Sequence, residues 1–66
     1  MDIVPGDLVQ YKVDPGRFAT VINVTRTSRG STVLEVVVVY DKNYPDSVGE
    51  KKYAHYDYWT KIPRTT

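Results

Sequence analysis

Turn-forming residues punctuate this chain at intervals of about ten positions, and this spacing is what most limits the folds open to it. Pro5-Gly6-Asp7, Asp14-Pro15-Gly16 and Ser28-Arg29-Gly30-Ser31 separate stretches that are rich in β-branched and aromatic residues. No stretch keeps the helical period of about 3.6 residues. The sequence therefore predicts an all-β domain with five short strands, over residues 8–13, 17–27, 32–41, 51–55 and 60–62.

The last two predicted strands are separated by residues 56–59, which indicate a single tight turn. Five short strands with such a turn before the fifth describe an SH3-like barrel, in which closure of the sheet protects the strand edges. The alternative is a five-stranded OB-like barrel, but that fold usually has a longer chain and a helix between its third and fourth strands. We therefore expect one SH3-like barrel domain over residues 1–66, with residues 64–66 frayed at its end.

The third predicted strand contains the run Val36-Val37-Val38-Val39-Tyr40. Successive side chains of a strand point to opposite faces, so this run places apolar side chains on both faces of the sheet. Strands with this pattern are usually covered on both sides. We therefore expect the second face to be covered by a neighbouring strand of the barrel or by a partner.

The chain is poor in residues that carry catalysis or bind metals. It has no cysteine and a single histidine, which excludes disulfides, thiolate zinc sites and all-histidine metal sites. His55 and Asp57 could form a hydrogen-bonded pair, but two groups hold a metal poorly, and a surface or capping role is the simpler interpretation. The glycines are scattered singly at turns and form no phosphate-binding loop. No catalytic residue, metal site or cofactor is expected, and the protein is predicted not to be an enzyme.

The first residues, Met1-Asp2-Ile3-Val4-Pro5-Gly6, lack the basic start and the apolar run of a secretion signal. The longest apolar stretch, residues 36–40, is much too short to cross a bilayer. These features predict a soluble cytoplasmic protein that does not insert into membranes.

The formal net charge of +1 argues against a strong, non-specific nucleic-acid binder. The charges are nevertheless distributed unevenly. Residues 17–34 contain arginines but no acidic residue, and residues 51–66 contain more basic than acidic residues. Solvated strand surfaces are the simpler explanation, but two such segments lying side by side would form a modest basic face for nucleic acid. Its candidate residues are Arg17, Arg26, Arg29, Lys51, Lys52 and Lys61.

Most of the aromatic residues lie within residues 40–66, interleaved with lysines. Aromatic rings beside cations can stack nucleic-acid bases, and tyrosine and tryptophan also anchor protein interfaces. Tyr40, Tyr58 and Trp59 are interpreted as residues of the core or its rim. The exposed candidates border the loop after the third strand and the turn before the fifth. The predicted partner-binding residues are Tyr44, Tyr53, Tyr56, Lys42, Lys51 and Lys52.

Two stretches resemble known families of SH3-like barrels. Pro5-Gly6-Asp7-Leu8-Val9, followed by Ala19-Thr20-Val21-Ile22-Asn23-Val24, resembles the start of KOW-type modules and of small phage proteins. Val36-Val37-Val38-Val39-Tyr40-Asp41-Lys42-Asn43-Tyr44 is similar to the third strand and following loop of the photosystem I subunit PsaE family. The second resemblance implies a non-enzymatic accessory subunit, which in that family helps to dock ferredoxin. A basic residue on the third strand takes part in that docking, and Val39 occupies the corresponding position here.

The sequence thus predicts a small non-enzymatic binding module or accessory subunit that docks onto a protein partner or a larger assembly through a tyrosine-rich face. The alternative is a KOW-like nucleic-acid-binding module that uses basic and aromatic residues. Oligonucleotide binding that fades as the salt concentration rises would favour this alternative.

Overall fold

The computed structural model of the chain describes residues 3–63, which form one antiparallel sheet of five strands. The strands are β1 (Leu8–Tyr11), β2 (Arg17–Arg26), β3 (Thr32–Asp41), β4 (Lys51–His55) and β5 (Trp59–Lys61). Their spatial order is β4-β3-β2-β1-β5, and single 3₁₀ turns at Pro45–Ser47 and Tyr56–Tyr58 precede β4 and β5. The predicted all-β fold with five strands is confirmed. The expected fraying of residues 64–66 lies outside the described residues.

The strand boundaries agree with the sequence pattern at the centre of the sheet and differ from it at the turns. β3 and β4 begin and end at the predicted residues. β1 ends at Tyr11 instead of residue 13, because Val13 lies in an exposed bend and does not continue the buried side of the strand. The last strand begins at Trp59, one residue earlier than predicted, because Trp59 pairs with Tyr11 across the sheet.

Thr27 closes the hairpin between β2 and β3. The sequence pattern predicts it as the last residue of the second strand. Its N–H donates to the Ser31 carbonyl at 2.7 Å, and its hydroxyl accepts from the Ser31 N–H at 3.2 Å. Gly30 follows with a φ of +84°, which only glycine adopts without strain. β2 therefore ends at Arg26, opposite Thr32 on β3.

Alternation along the strands fills the core with apolar side chains. On β3, every second residue from Leu34 to Val38 is almost fully buried. Trp59 of β5 joins this core, and its ring centroid lies 4.8 Å from that of Tyr11. The buried apolar residues among those described are Ile3, Val9, Ala19, Val21, Leu34, Val36, Val38 and Trp59.

β2 pairs with β1 on one side and with β3 on the other, and two register shifts interrupt its ladder with β3. The second shift leaves Ile22 as an extra residue on β2, because Val21 pairs with Val36 and Asn23 pairs with the next residue of β3. Such bulges bend a strand and increase its twist.

The loops at one end of the sheet are joined through two aspartates. Asp41 is buried, and its side chain accepts a hydrogen bond from Arg17 Nε at 2.7 Å and from the backbone N–H groups of Asn43 and Tyr44. Asp14 accepts from the Asn43 side-chain amide at 3.0 Å. The turn between β1 and β2 and the loop between β3 and β4 therefore hold each other in place.

Candidate functional site

The side of the sheet that points away from the core, here called the outer face, is formed by alternate residues of β2, β3 and β4. These residues occupy the strand positions between the buried ones. The cross-strand register sets their neighbours across the sheet. The outer face consists of Thr20, Asn23 and Thr25 on β2, Val33, Glu35, Val37 and Val39 on β3, and Lys51, Tyr53 and His55 on β4.

β3 keeps apolar side chains on this outer face. Val33 and Val37 are half-buried among their neighbours, and Val39 is 46% exposed. Ile22, the extra residue of the β2 bulge, is 41% exposed. Within residues 3–63 the second cover expected for β3 is therefore only partial, and an apolar strip faces solvent.

Tyr53 is the most exposed aromatic residue of the outer face, at 67%. It lies directly opposite Glu35, and its hydroxyl donates to Glu35 Oε2 at 3.1 Å. The hydrogen bond to this carboxylate, together with its negative charge, raises the pKa of Tyr53 above its usual 10.0. Tyr53 therefore stands as a neutral phenol, fixed in position on the sheet.

The three tyrosines predicted to bind a partner occupy three different places. Tyr53 is central on β4, whereas Tyr44 is 61% exposed in the loop after β3. Tyr56 was expected to be exposed, but it is half-buried and packs against the core. The 3₁₀ turn that begins at Tyr56 causes this difference, because it folds the chain back toward the sheet.

Of the three aromatic residues interpreted as core or rim, Trp59 belongs to the core. Trp59 is buried, whereas Tyr40 and Tyr58 are about half exposed and contact other rings. The ring centroids of Tyr40 and Phe18 are 6.1 Å apart, and those of Tyr58 and Tyr11 are 6.4 Å apart. The Trp59 Nε1 atom is buried without a hydrogen-bond partner among the described residues.

The three lysines predicted beside these tyrosines are also separated. Lys51 lies on the outer face next to Val37, while Lys52 has the opposite orientation and its Nζ atom is 3.8 Å from Glu50 Oε1. Lys42 is exposed in the loop after β3. Only Lys51 and Tyr53, of the six predicted partner-binding residues, therefore share the outer face.

The six residues predicted for nucleic acid do not form one basic stripe. Arg17 is largely buried against Asp41, with its guanidinium 5.6 Å from the centroid of the Tyr11 ring. Lys61 lies on β5, at the other end of the strand order from β4, and its Nζ atom is 3.4 Å from Asp7 Oδ2. Arg26 and Arg29 are exposed at the hairpin between β2 and β3. The two basic segments of the sequence are thus divided among separate surfaces.

A cleft of about 480 Å³ opens at the end of the core beside this hairpin. The cleft is shaped by the β2–β3 hairpin, by the 3₁₀ turn before β5 and by the residue at position 3. Its lining combines apolar, aromatic, hydroxyl and cationic groups. It is lined by Ile3, Val24, Arg26, Gly30, Thr32 and Tyr56.

His55 contacts Tyr56, the aromatic residue in the lining of this cleft. The His55 and Tyr56 ring centroids are 4.7 Å apart, and His55 Nδ1 accepts from the Asp57 N–H at 3.2 Å. His55 therefore caps the 3₁₀ turn, one of the two roles that the sequence suggested for it. Sequence reasoning missed the cleft itself. The sequence feature that could have indicated the cleft is the β2–β3 hairpin, which pairs Arg26 with Thr32. Both residues line the cleft together with Tyr56.

Residues 3–63 contain no group of three metal-ligating side chains close enough to hold an ion. None of the helical segments described is long and apolar enough to cross a membrane. Comparison of the chain with protein-family models, with curated proteins and with solved structures finds no match.

Proposed function

We propose that this chain is a non-enzymatic binding module, built as an SH3-like barrel, which docks onto a protein partner or a larger assembly through its outer face. The observation that carries the proposal is the apolar strip of β3, where Val37 and Val39 lie beside exposed residues of neighbouring strands. Exposed apolar patches with polar surroundings are typical of protein interaction sites.

The order of the strands supports the SH3-like barrel. β1 lies between β2 and β5, and a single 3₁₀ turn comes directly before β5. This is the tight turn that the sequence pattern predicts for such a barrel. The register shifts between β2 and β3 are irregularities of the kind that bend strands in a barrel.

The charges and aromatic content of the outer face favour a protein partner. Lys51 and Glu35 give the face both signs of charge, which suits a mixed protein surface better than a polyanion. Tyr53 offers a large contact area whose orientation is already set by its hydrogen bond to Glu35. Tyrosine loses little conformational entropy on binding and is enriched at the energetic centres of interfaces.

The alternative of a KOW-like nucleic-acid-binding module has less support from the geometry. Single-stranded nucleic acid is held along a continuous positive groove with stacking rings. Arg17, Lys52 and Lys61 each lie beside a carboxylate instead. Exposed positive charge next to a ring is confined to separate places in the described residues, with Arg26 beside Tyr56 at the cleft and Lys51 beside Tyr53 on the outer face.

The proposal is tested by affinity capture from a cell extract with three variants and the unchanged protein. Val39→Lys and Tyr53→Ala alter the outer face, and Val13→Lys introduces the same charge at another exposed valine. We expect a captured protein that is lost with both outer-face variants and retained with Val13→Lys. Equal capture by all variants, or no specific capture by the unchanged protein, would contradict the proposal.

A parallel amide chemical-shift titration with oligonucleotides, at low and near-physiological salt, tests the alternative. Shifts at Arg26, Arg29 and Lys51 that fade with salt would favour nucleic acid. Absence of shifts at low salt would exclude it. Thermal denaturation of each variant confirms that lost binding does not reflect unfolding.

A further inference from the structure

We propose that the cleft at the β2–β3 hairpin binds a short peptide segment that carries an acidic side chain next to an apolar one. The site is distinct from the outer face, and the inference does not depend on that face being an interface.

The cleft has a volume typical of binding sites, and part of its lining belongs to the core. Its volume of about 480 Å³ falls within the range of about 300–1,000 Å³ that ligand pockets usually have. Ile3 belongs to the buried core, and Val24 and Tyr56 pack against that core. The apolar wall of the cleft is therefore part of the folded domain and offers a fixed surface to an apolar side chain.

The lining of the cleft also includes a cation for which the described residues supply no partner. Arg26 is exposed and forms no ion pair or side-chain hydrogen bond within residues 3–63. The same is true of Arg29, three positions along the hairpin. Arg17, in contrast, is held by Asp41. An arginine left in this state can bind a carboxylate through two parallel hydrogen bonds.

The charge around the cleft favours an acidic ligand. The chain from Val24 to Thr32, which supplies most of the lining, contains two arginines and no acidic residue. A carboxylate in the cleft would therefore meet the positive charge of Arg26, and Arg29 lies three positions along the same hairpin. An adjacent apolar side chain would cover Val24 and Ile3.

A nucleic-acid strand fits these features less well than a peptide. Its phosphates would need further cations beyond the hairpin, and the cleft lining offers one ring, Tyr56, for a base to stack on. Peptides supply both an isolated carboxylate and an apolar side chain within two residues. The cleft is thus suited to binding a peptide motif in which an acidic residue is followed or preceded by an apolar one.

The test is an amide chemical-shift titration of the full chain with three blocked peptides, acetylated and amidated so that the side chains supply the only charge. The first contains a Leu-Asp-Leu motif, the second replaces its aspartate with asparagine, and the third replaces both leucines with glycine. We expect the first peptide to shift the amides of Arg26, Gly30, Thr32 and Tyr56. Each of the other two should bind roughly three- to tenfold more weakly.

Two protein variants with the same change of charge complete the test. Arg26→Gln should weaken binding of the first peptide roughly three- to tenfold, and Lys12→Gln, at another exposed cation, should leave it unchanged. The inference is overturned if the peptide gives no shifts or if Arg26→Gln binds equally well. Peptide-induced amide shifts confined to the outer face would overturn the inference and leave the proposed function intact. Amide shifts of the cleft residues with oligothymidylate and not with the peptide would also overturn it, and would indicate nucleic acid as the ligand.

Discussion

The Nε atom of Arg17 lies 2.7 Å from Oδ2 of Asp41, so the first residue of β2 and the last residue of β3 are joined by a largely buried ion pair. Asp41 also accepts two backbone hydrogen bonds from the loop that follows it. A buried charge that loses its partner is strongly destabilising. The pair therefore determines how firmly this end of the sheet is closed.

We expect Asp41→Asn to lower the stability of the domain markedly at neutral pH, because it leaves the Arg17 guanidinium without its counter-ion. Urea denaturation at pH 7 measures the change. Asp46→Asn, in the exposed 3₁₀ turn before β4, is the matched control and should have little effect. Equal midpoints for Asp41→Asn and the unchanged protein would contradict this account of the pair.

The same carboxyl makes a specific contribution to acid denaturation. Burial acts to raise the pKa of Asp41, but the hydrogen bonds from Arg17, Tyr44 and Asn43 and the arginine charge outweigh burial and hold it below the usual 3.8. A lowered pKa in the folded state stabilises the protein above the unfolded-state value, and this stability is lost as the pH falls from there through the folded-state value. We expect the stability difference between the unchanged protein and Asp41→Asn to shrink below about pH 4. A difference that stays constant down to pH 2 would be inconsistent with this assignment.

Tyr53 should ionise at a higher pH than an ordinary tyrosine, because its hydroxyl donates to Glu35. The raised pKa means that this hydrogen bond stabilises the fold below the unfolded-state pKa and that the stability is lost as the pH rises through the folded-state value. In Glu35→Gln we expect the pKa of Tyr53 to move back toward 10.0. Carbon NMR of ring-labelled tyrosine follows each phenol separately, and an unchanged titration of Tyr53 would exclude Glu35 as the cause.

Two valines of β3 provide a matched comparison of its two faces. Val36 is fully buried, whereas Val39 is 46% exposed on the outer face. Val36→Ala should lower the free energy of unfolding by about 1.5–3 kcal/mol, while Val39→Ala should change it by less than about 0.5 kcal/mol. Chemical denaturation of both variants measures this contrast. Similar losses would mean that the outer face is covered after all.

Gly16 marks a close approach between the first turn and the loop after β3. A Cβ atom at this position would lie 3.0 Å from Lys42 Cβ, and Lys42 is held there because its N–H donates to the Gly16 carbonyl. Gly16→Ala should therefore destabilise the domain by about 1–3 kcal/mol. Thermal denaturation tests this, and an unchanged or raised midpoint would show that the loop yields easily.

Local patterns predicted the centre of the fold better than its surface. The valine run of β3 and the alternation of β4 depend on neighbouring residues, so the bounds of both strands were predicted correctly. The exposure predicted for Tyr56 was wrong, because its burial depends on a turn that packs it against the core. The arginines were misleading for the same reason. Arg17 finds its carboxylate on Asp41, and a sum of charges along a segment contains no information about such partners.

The extra residue Ile22 has a consequence for the cleft. Without the bulge, with Ile22 paired as a regular strand residue, strict alternation from Val21 would turn Val24 and Arg26 toward the outer face. With it, Val24 packs on the core and Arg26 lines the cleft. The lining of the cleft is thus set by a change of phase within β2, and deletion of Ile22 is expected to preserve that lining, because it removes the bulge and leaves Val24 and Arg26 on the same side of the strand.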